Sequence, residues 1–249
     1  MQLTPLVSRS VENWQRFMYH YALGLVPQTA YRFRNGAKVK IGRGVDHVPI
    51  IEIFLRQDYG QIRDGSVVLD LGANIGVFAI YAASTARNVR VFAYEPMTDF
   101  FSLMKENIVI NDFESCVSCF NLAVAGDVND RQLFASGNGI LFPTLIAPQG
   151  TDESVQKRVS CTTLANILDS NDLEMIDLLK MDTEGAEYEI LSATPPAYLK
   201  RIREIRMEYH NLDQARNVSQ LKRFLSSQDF EITHEQANSP TNGNLWARR

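Results

Sequence analysis

A short turn rich in small residues follows an apolar segment near residue 70. The sequence Val67-Val-Leu-Asp70-Leu-Gly72-Ala73-Asn74-Ile-Gly76 predicts a buried strand that ends in a carboxylate and a turn that opens a helix. Glycine leaves room for a ligand against the backbone, and a helix start presents free N–H groups. The turn alone also fits an ordinary strand-to-helix connection, so it indicates a nucleotide-type site only together with other signals.

A second carboxylate strengthens this interpretation. Glu95 ends the next apolar segment, 25 positions after Asp70, within Tyr94-Glu95-Pro96. A carboxylate at that sheet position can accept both hydroxyls of an adenosyl ribose. NAD or FAD binding requires a second glycine two positions after Gly72, where this chain has Asn74. The turn therefore disfavours a dinucleotide.

A third apolar strand also ends in carboxylates, within the segment Leu179-Lys-Met-Asp182-Thr-Glu184-Gly-Ala-Glu187. Ligands of a doubly wound sheet bind outside the carboxyl ends of its strands, so Asp70, Glu95 and Asp182 should converge on one crevice. The following strand should bring three more residues to the same edge: Glu208, Tyr209 and His210. For these three, a structural role stays open beside contact with substrate.

Carboxylate and imidazole groups at this edge could act as general bases. Asp182 and His210 are the candidate catalytic residues, because proton removal by a positioned base accelerates a reaction about 10²-fold to 10⁴-fold. A lone histidine can equally be structural, and Glu184 and Glu187 can serve as favourable charges at a helix start. With Glu208 these groups could instead hold a hard divalent cation. No dedicated ligand spacing is present, so no metal is assigned.

Short apolar strands alternate with helical segments from Val67 onward, which predicts βαβ units. We expect a doubly wound α/β fold with a mostly parallel seven-stranded sheet and helices on both faces. The predicted strands are Val67 to Leu71, Val89 to Tyr94, Val117 to Val124, Ile176 to Met181, Glu204 to Tyr209, Phe230 to His234 and Asn244 to Ala247. The predicted helices are Gly76 to Ala86, Asp99 to Asn111, Thr163 to Leu168, Gly185 to Ala193 and Val218 to Ser227.

The chain length of 249 residues is compatible with one α/β domain. Residues 1–60 are predicted to form an N-terminal extension: an amphipathic helix over 11–26, a hairpin turn at Asn35-Gly36 and a helix near Pro49 to Gln57. Residues 61–249 form the ligand-binding domain. An insertion at about 126–157 offers Leu141, Phe142, Leu145 and Ile146, and we expect it to cap the acceptor site, with an irregular surface excursion as the open alternative.

Composition limits the classes of partner. The net charge of -4 has no basic stripe of the kind that nucleic acid binding requires, and no segment reaches 18 apolar residues. We therefore expect a cytoplasmic protein with a small-molecule partner and no membrane span. Three cysteines fit a reducing compartment, and Cys116 and Cys119 carry no predicted chemistry. The N-terminal helix could pair two subunits.

The motifs together resemble the FkbM-type methyltransferases, a Rossmann-like S-adenosylmethionine-dependent family. The resemblance runs from about Val67 to His210, and its most specific part is the Lys-x-Asp-x-Glu-Gly-x-Glu segment at 180–187. It rests further on Glu95-Pro96, Glu106-Asn107 with Asn111, Asn121-Leu-Ala123-Val124 and Glu208-Tyr-His210.

The resemblance implies S-adenosylmethionine as cofactor and methyl transfer to a hydroxyl of a sugar or natural-product small molecule. It implies ribose binding by Glu95, an adenine border at Asn121 to Ala123, and Asp182 facing the reacting methyl. The residues expected to bind the cofactor are Asp70, Gly72, Ala73, Asn74, Gly76, Glu95, Pro96, Asn121, Ala123 and Asp182. The alternatives are a non-catalytic protein that binds an adenosyl ligand and a nicotinamide-dependent oxidoreductase.

Overall fold

The computed structural model describes residues 3–25, 30–42, 47–136, 144–146 and 154–249. Thirteen strands lie in these ranges. They are β1 (Tyr31–Arg32), β2 (Lys38–Val39), β3 (Val67–Leu71), β4 (Arg90–Tyr94), β5 (Val117–Phe120), β6 (Ala123–Val124), β7 (Arg131–Ser136), β8 (Ser154–Val159), β9 (Cys161–Thr162), β10 (Leu178–Met181), β11 (Glu204–His210), β12 (Glu231–Ala237) and β13 (Asn242–Arg248).

The described helices lie mostly between successive strands of the sheet. They are α1 (Leu3–Ser10), α2 (Trp14–Leu23), α3 (Val48–Ile50), α4 (Val77–Thr85), α5 (Thr98–Val109), α6 (Leu164–Ser170), α7 (Glu187–Ala193), α8 (Pro196–Leu199) and α9 (Val218–Ser227). Helix α3 continues as a π-helical segment, Ile51–Arg56. Within the described ranges, no helix is both long enough and apolar enough to cross a membrane.

The central sheet confirms the predicted α/β fold. Seven strands lie in the order β12-β13-β11-β10-β3-β4-β5. Strands β11, β10, β3, β4 and β5 run parallel, while β13 is antiparallel to both of its neighbours. The chain builds outward from β3 to β5 and then returns to add β10 on the other side. This reversal between β3 and β10 is where a doubly wound sheet opens a ligand crevice.

Helices cover both faces of the sheet because successive side chains of each strand point to opposite sides. Val68 of β3 belongs to the core that also contains α4, α5 and the N-terminal elements. Leu69 and Leu71 of the same strand belong to the second core, formed with α6, α7, α8 and α9. The N-terminal extension therefore packs against one face of the ligand-binding domain.

The predicted helix over 11–26 is present as the shorter α2, Trp14–Leu23, and a further helix, α1, precedes the predicted range. Helix α1 ends at Ser10, and Val11 forms an antiparallel bridge with Phe33. The N–H of Glu12 donates to the carbonyl of Arg32 at 2.8 Å. The residues between α1 and α2 therefore hydrogen-bond to the hairpin β1–β2 instead of continuing a helix. The predicted hairpin at Asn35-Gly36 is confirmed by the pairing of β1 with β2.

The predicted strand Val117 to Val124 is also interrupted. Strand β5 ends at Phe120, and β6 pairs with β9 in a separate two-stranded sheet. The side-chain amide of Asn121 donates to the carbonyls of Glu95 at 2.8 Å and of Pro96 at 3.0 Å. These bonds turn the chain away from the central sheet after β5.

The insertion at 126–157 is anchored by an antiparallel pair, β7 with β8. The predicted apolar candidates Leu141 and Phe142 lie outside the described residues. Leu145 and Ile146 are described, and Leu145 packs against both cores. The insertion thus contacts the body of the domain at this point.

Candidate active site

Three parallel strands, β3, β4 and β10, end in register with one another and with Met207 of β11, which gathers the residues that follow at one edge of the sheet. The pairings align Leu71, Tyr94, Met181 and Met207. The next residue of each strand is therefore at the same edge: Gly72, Glu95, Asp182 and Glu208. All four line one cleft. The convergence of Glu95 and Asp182 expected from the sequence is present in the structure.

Gly72 allows the turn after β3 to pass close to the end of β10. Its φ is +74°, and an added Cβ would lie 1.8 Å from the carbonyl oxygen of Asp182. No side chain can be accommodated at that distance, so glycine is required for the approach. Ala73 and Asn74 line the cleft beside Gly72, whereas Gly76 lies outside the lining and caps helix α4.

The Glu95 carboxylate is held by the backbone on both of its oxygens. Oε2 accepts from the N–H of Asn74 at 2.8 Å, and Oε1 accepts from the N–H of Met97 at 2.8 Å. Burial raises the pKa of Glu95 to about 7, although the two backbone donors oppose the shift. Each oxygen retains acceptor capacity for a further hydroxyl, since a carboxylate offers about four lone-pair sites.

Asp70 requires a correction to the expectation that it lines the cleft. Its side chain is fully buried and lies outside the lining, and its Oδ1 is 3.1 Å from Nζ of Lys180. Nζ also donates to the carbonyl of Gly72 at 2.9 Å. Burial lowers the pKa of Lys180, but the carboxylates of Asp70 and Asp182 outweigh this effect and raise the pKa. Asp70 therefore holds a buried ammonium beneath the turn.

Asp182 has one anchored and one unsatisfied oxygen. Oδ2 accepts from the hydroxyl of Tyr59 at 3.4 Å and lies 3.8 Å from Nζ of Lys180. Oδ1 is buried and has no hydrogen-bond partner within the described ranges. A buried carboxylate oxygen without a donor is costly, so this atom indicates a group that a ligand supplies.

His210 also requires a correction, because it lies behind the cleft wall and outside its lining. Nε2 is 3.2 Å from Glu184, and Nδ1 is 3.3 Å from the fully buried Glu187. Burial lowers the pKa of His210, but the hydrogen bonds from Glu184 and Glu187 outweigh it and raise the pKa to about 11. A protonated imidazole with both nitrogens engaged cannot accept a proton, so the geometry does not support a general-base role.

Glu187 shapes the loop between β10 and α7. Its Oε1 accepts from the N–H groups of Thr183 at 3.0 Å and Gly185 at 3.2 Å. Glu184 adopts a positive φ of 51° in this loop and lines the cleft. His210 and Glu187 therefore position Glu184 at the cleft wall.

Glu208 adds a further acidic group to the cleft. Burial and the neighbouring carboxylate of Asp182 raise the pKa of Glu208 to about 8. Among the described residues, Asp182, Glu208 and His210 each offer a ligand atom within 4.8 Å of one another. These groups could hold a cation only if His210 released one of its carboxylate partners, so the observed geometry does not assign a metal.

The other predicted cofactor residues lie on the far side of the cleft. Pro96 and Ala123 line it, together with Leu122 and Val124. Asn121 lies outside the lining and holds the backbone of Glu95 and Pro96 through its side-chain amide.

Several cleft residues carried no predicted role. The N-terminal extension supplies Val48, Pro49, Glu52, Ile53 and Tyr59, and the insertion supplies Leu133. No local pattern distinguishes these residues, because their contacts with the cleft are long-range. Lys180 did carry a signal: a lysine within the apolar strand Leu178–Met181 must be paired if it is buried.

The family assignment follows from the match between this chain and a known domain. The sequence model of the family described as "Methyltransferase FkbM domain" matches residues 70–232. The chain belongs to the FkbM methyltransferase family. The resemblance inferred from the motifs is thereby confirmed, and the matched segment of this FkbM-family protein contains all the predicted site residues.

Two relatives are similar over most of their length. Methyltransferase sdnD of Sordaria araneosa is 25% identical over 207 residues, which cover 72% of this chain and 79% of that protein. The 31-O-demethyl-FK506 methyltransferase FkbM of Streptomyces tacrolimicus is 26% identical over 237 residues, which cover 82% of this chain and 90% of that protein.

A solved structure, the precorrin-6y C5,15-methyltransferase of Geobacter metallireducens GS-15, is 16% identical to this FkbM-family chain. The match covers 82% of this chain and 88% of that chain, with a TM-score of 0.46. The fold assignment itself comes from the strand order described above.

S-adenosylmethionine is the cofactor of this FkbM-family methyltransferase. The charges of the cleft fit that cofactor. Asp182, Glu184 and Glu208 line the cleft, and carboxylates favour a nearby sulfonium cation. The Glu95 carboxylate has further acceptor capacity, and Oδ1 of Asp182 is buried without a hydrogen-bond partner among the described residues.

Proposed function

We propose that this methyltransferase transfers its methyl group to a hydroxyl oxygen of a small molecule, such as a sugar or another natural product. Asp182 removes the hydroxyl proton. The name of the relative from Streptomyces tacrolimicus describes O-methylation of a natural product, which supports this class of acceptor.

The observation that carries the proposal is the half-satisfied carboxylate of Asp182. Lys180 and Tyr59 approach Oδ2, and the buried Oδ1 has no hydrogen-bond partner among the described residues, so we assign Oδ1 as the acceptor atom. When bound, S-adenosylmethionine would supply an activated methyl group on its sulfonium sulfur. The hydroxyl oxygen of the acceptor would take the methyl carbon while the sulfur–methyl bond breaks and S-adenosylhomocysteine leaves, and Oδ1 would take the hydroxyl proton. A positioned base of this kind supplies about 10²-fold to 10⁴-fold acceleration.

The remaining cleft residues bind and orient the cofactor in this proposal. Glu95 accepts the ribose hydroxyls, Gly72, Ala73 and Asn74 border the ribose and methionine side, and Pro96 and Ala123 border adenine. Asp70, Gly76 and Asn121 act indirectly, by fixing Lys180, the start of α4 and the backbone at Glu95.

The acceptor end of the cleft is built by the parts of the chain outside the central sheet. Residues 1–60 contribute Val48, Pro49 and Glu52, and the insertion at 126–157 contributes Leu133 and Leu145. Thr144 of the insertion donates its hydroxyl to the carbonyl of Glu184 at 2.7 Å. We infer that the insertion caps the acceptor, which aligns the reactants and limits water at the reacting atoms.

The test is methyl transfer from labelled S-adenosylmethionine to a panel of sugars and polyketide alcohols, with matched amines and thiols. We expect label in the hydroxyl compounds. In Asp182→Asn, the single-turnover rate should fall about 10²-fold, because the amide cannot accept the proton. The affinity for S-adenosylhomocysteine should change by less than about threefold, since the side chain keeps its size.

Asp177→Asn is the matched control, since Asp177 precedes the same strand and bonds to Arg203 and the N–H of Val67. It should retain the wild-type rate. Label found only in amines or thiols would refute hydroxyl transfer, and a full-speed single turnover by Asp182→Asn would remove Asp182 from the mechanism.

A cytoplasmic location, the lack of a nucleic acid partner and pairing of subunits through the N-terminal helix stay predictions.

A further inference from the structure

Tyr59 lies outside the matched family segment, yet it lines the cleft. It follows the π-helical segment Ile51–Arg56 of the N-terminal extension and is 5% exposed. Its hydroxyl donates to Oδ2 of Asp182. The extension thus supplies the side-chain donor to the carboxylate that we place at the reacting hydroxyl.

The position of the Tyr59 ring is fixed from several sides. Its centroid lies 5.5 Å from that of Phe78 in an edge-on arrangement, and Nζ of Lys180 lies 5.4 Å from the ring centroid. Arg206 donates to the carbonyls of Tyr59 and Gln61, and its guanidinium is neutralised by Glu204 at 2.8 Å. Locked neighbours of this kind give a side chain the precision that a reacting site requires.

The hydroxyl remains a donor at neutral pH. Burial and the carboxylates of Asp182, Glu208, Glu52 and Asp70 raise the pKa of Tyr59 well above its ordinary value. Its contact with Asp182 spans 3.4 Å, which is long for an O–H donor. Hydrogen bonds of catalytic groups commonly shorten when the reacting complex forms.

We propose that Tyr59 is a positioning residue, which holds Oδ2 of Asp182 so that Oδ1 faces the acceptor hydroxyl. This inference rests on the proposed hydroxyl transfer for its effect on the rate, but the pairing of Tyr59 with Asp182 stands independently of it. The N-terminal extension is then a part of the active site as well as a docked element.

Carbon NMR of the protein with ¹³Cζ-labelled tyrosine, bound to S-adenosylhomocysteine, tests the pairing without any acceptor. Tyr59→Phe and Tyr81→Phe each remove one signal and so assign the two residues. In Asp182→Asn the Tyr59 signal should shift, because its partner loses its charge. The Tyr81 signal should stay in place, since Tyr81 packs in the same aromatic cluster but lies outside the cleft lining. A Tyr59 signal that does not move overturns the proposal.

Kinetics of the same variants test the consequence. Tyr59→Phe keeps the ring and should lower the single-turnover rate about tenfold, the size expected for one hydrogen bond to a charged group. Its affinity for S-adenosylhomocysteine should stay within about twofold of wild type. Tyr81→Phe should change neither quantity.

The outcomes separate this inference from the proposed function. A wild-type rate in Tyr59→Phe, or a parallel loss of cofactor affinity and melting temperature, overturns the positioning role. A shifted Tyr59 signal in a protein that methylates no hydroxyl compound supports the pairing and refutes hydroxyl transfer.

Discussion

Nζ of Lys180 lies 3.1 Å from Oδ1 of Asp70, and both side chains are almost completely buried between neighbouring strands. The pair lies directly beneath the turn that forms the floor of the cleft, where Nζ also binds the carbonyl of Gly72. The charges of Asp70 and Lys180 therefore affect both the stability of the fold and the position of the turn at Gly72.

Asp70→Asn should lower the free energy of unfolding by about 3 kcal/mol, because removal of one partner leaves a buried charge uncompensated. Urea denaturation at pH 7 measures the change. The double variant Asp70→Leu with Lys180→Met should recover part of the loss, since it removes both charges. A single variant as stable as wild type would show that Asp70 does not stabilise the ammonium.

Glu95→Ala should weaken binding of S-adenosylhomocysteine by about 1 to 3 kcal/mol, through loss of charge-assisted hydrogen bonds to ribose. Calorimetry gives the affinity. Glu106→Ala serves as the control, because Glu106 is an exposed carboxylate that pairs with Lys40 away from the cleft. Unchanged affinity in Glu95→Ala would refute the ribose assignment.

Glu208→Gln should stabilise the protein at pH 9 and have little effect at pH 4. The folded protein raises the pKa of Glu208 to about 8, so between the ordinary carboxyl value and pH 8 ionisation favours the unfolded chain. In the wild type, protonated Glu208 therefore contributes to stability at low pH, and this contribution is lost as pH rises through 8. Glutamine does not ionise, so the variant loses nothing over the same interval. The difference in unfolding free energy between the two proteins should grow across that interval, and a difference independent of pH would contradict the assignment.

For His210 the charged form stabilises the fold, whereas for Glu208 the charged form destabilises it. His210→Gln should therefore be less stable than the wild type where the imidazole is charged. The folded protein raises the pKa of His210 to about 11, so its contribution is complete below the ordinary histidine pKa and is lost as pH rises toward 11. Wild type should exceed the variant in stability by about 2 kcal/mol at pH 6, since the variant leaves buried Glu187 uncompensated. Equal stabilities at pH 6 would show that the imidazolium is not formed.

The sequence alone determined most of the elements and the edge of the sheet at which the candidate site lies. The alternation of apolar strands with helical segments predicted the seven-stranded sheet, because hydrophobic periodicity is a local property. Glu95 and Asp182 could be placed together, since the carboxyl ends of parallel strands meet at one edge of a doubly wound sheet.

Only the tertiary structure decided which side chains face the cleft. Asp70 pairs with Lys180 outside the cleft lining. His210 pairs with the carboxylates of Glu184 and Glu187. Tyr59 crosses from the N-terminal extension to Asp182, 123 positions along the chain. These choices depend on burial and on charges brought together by packing, and no local spacing of residues encodes them.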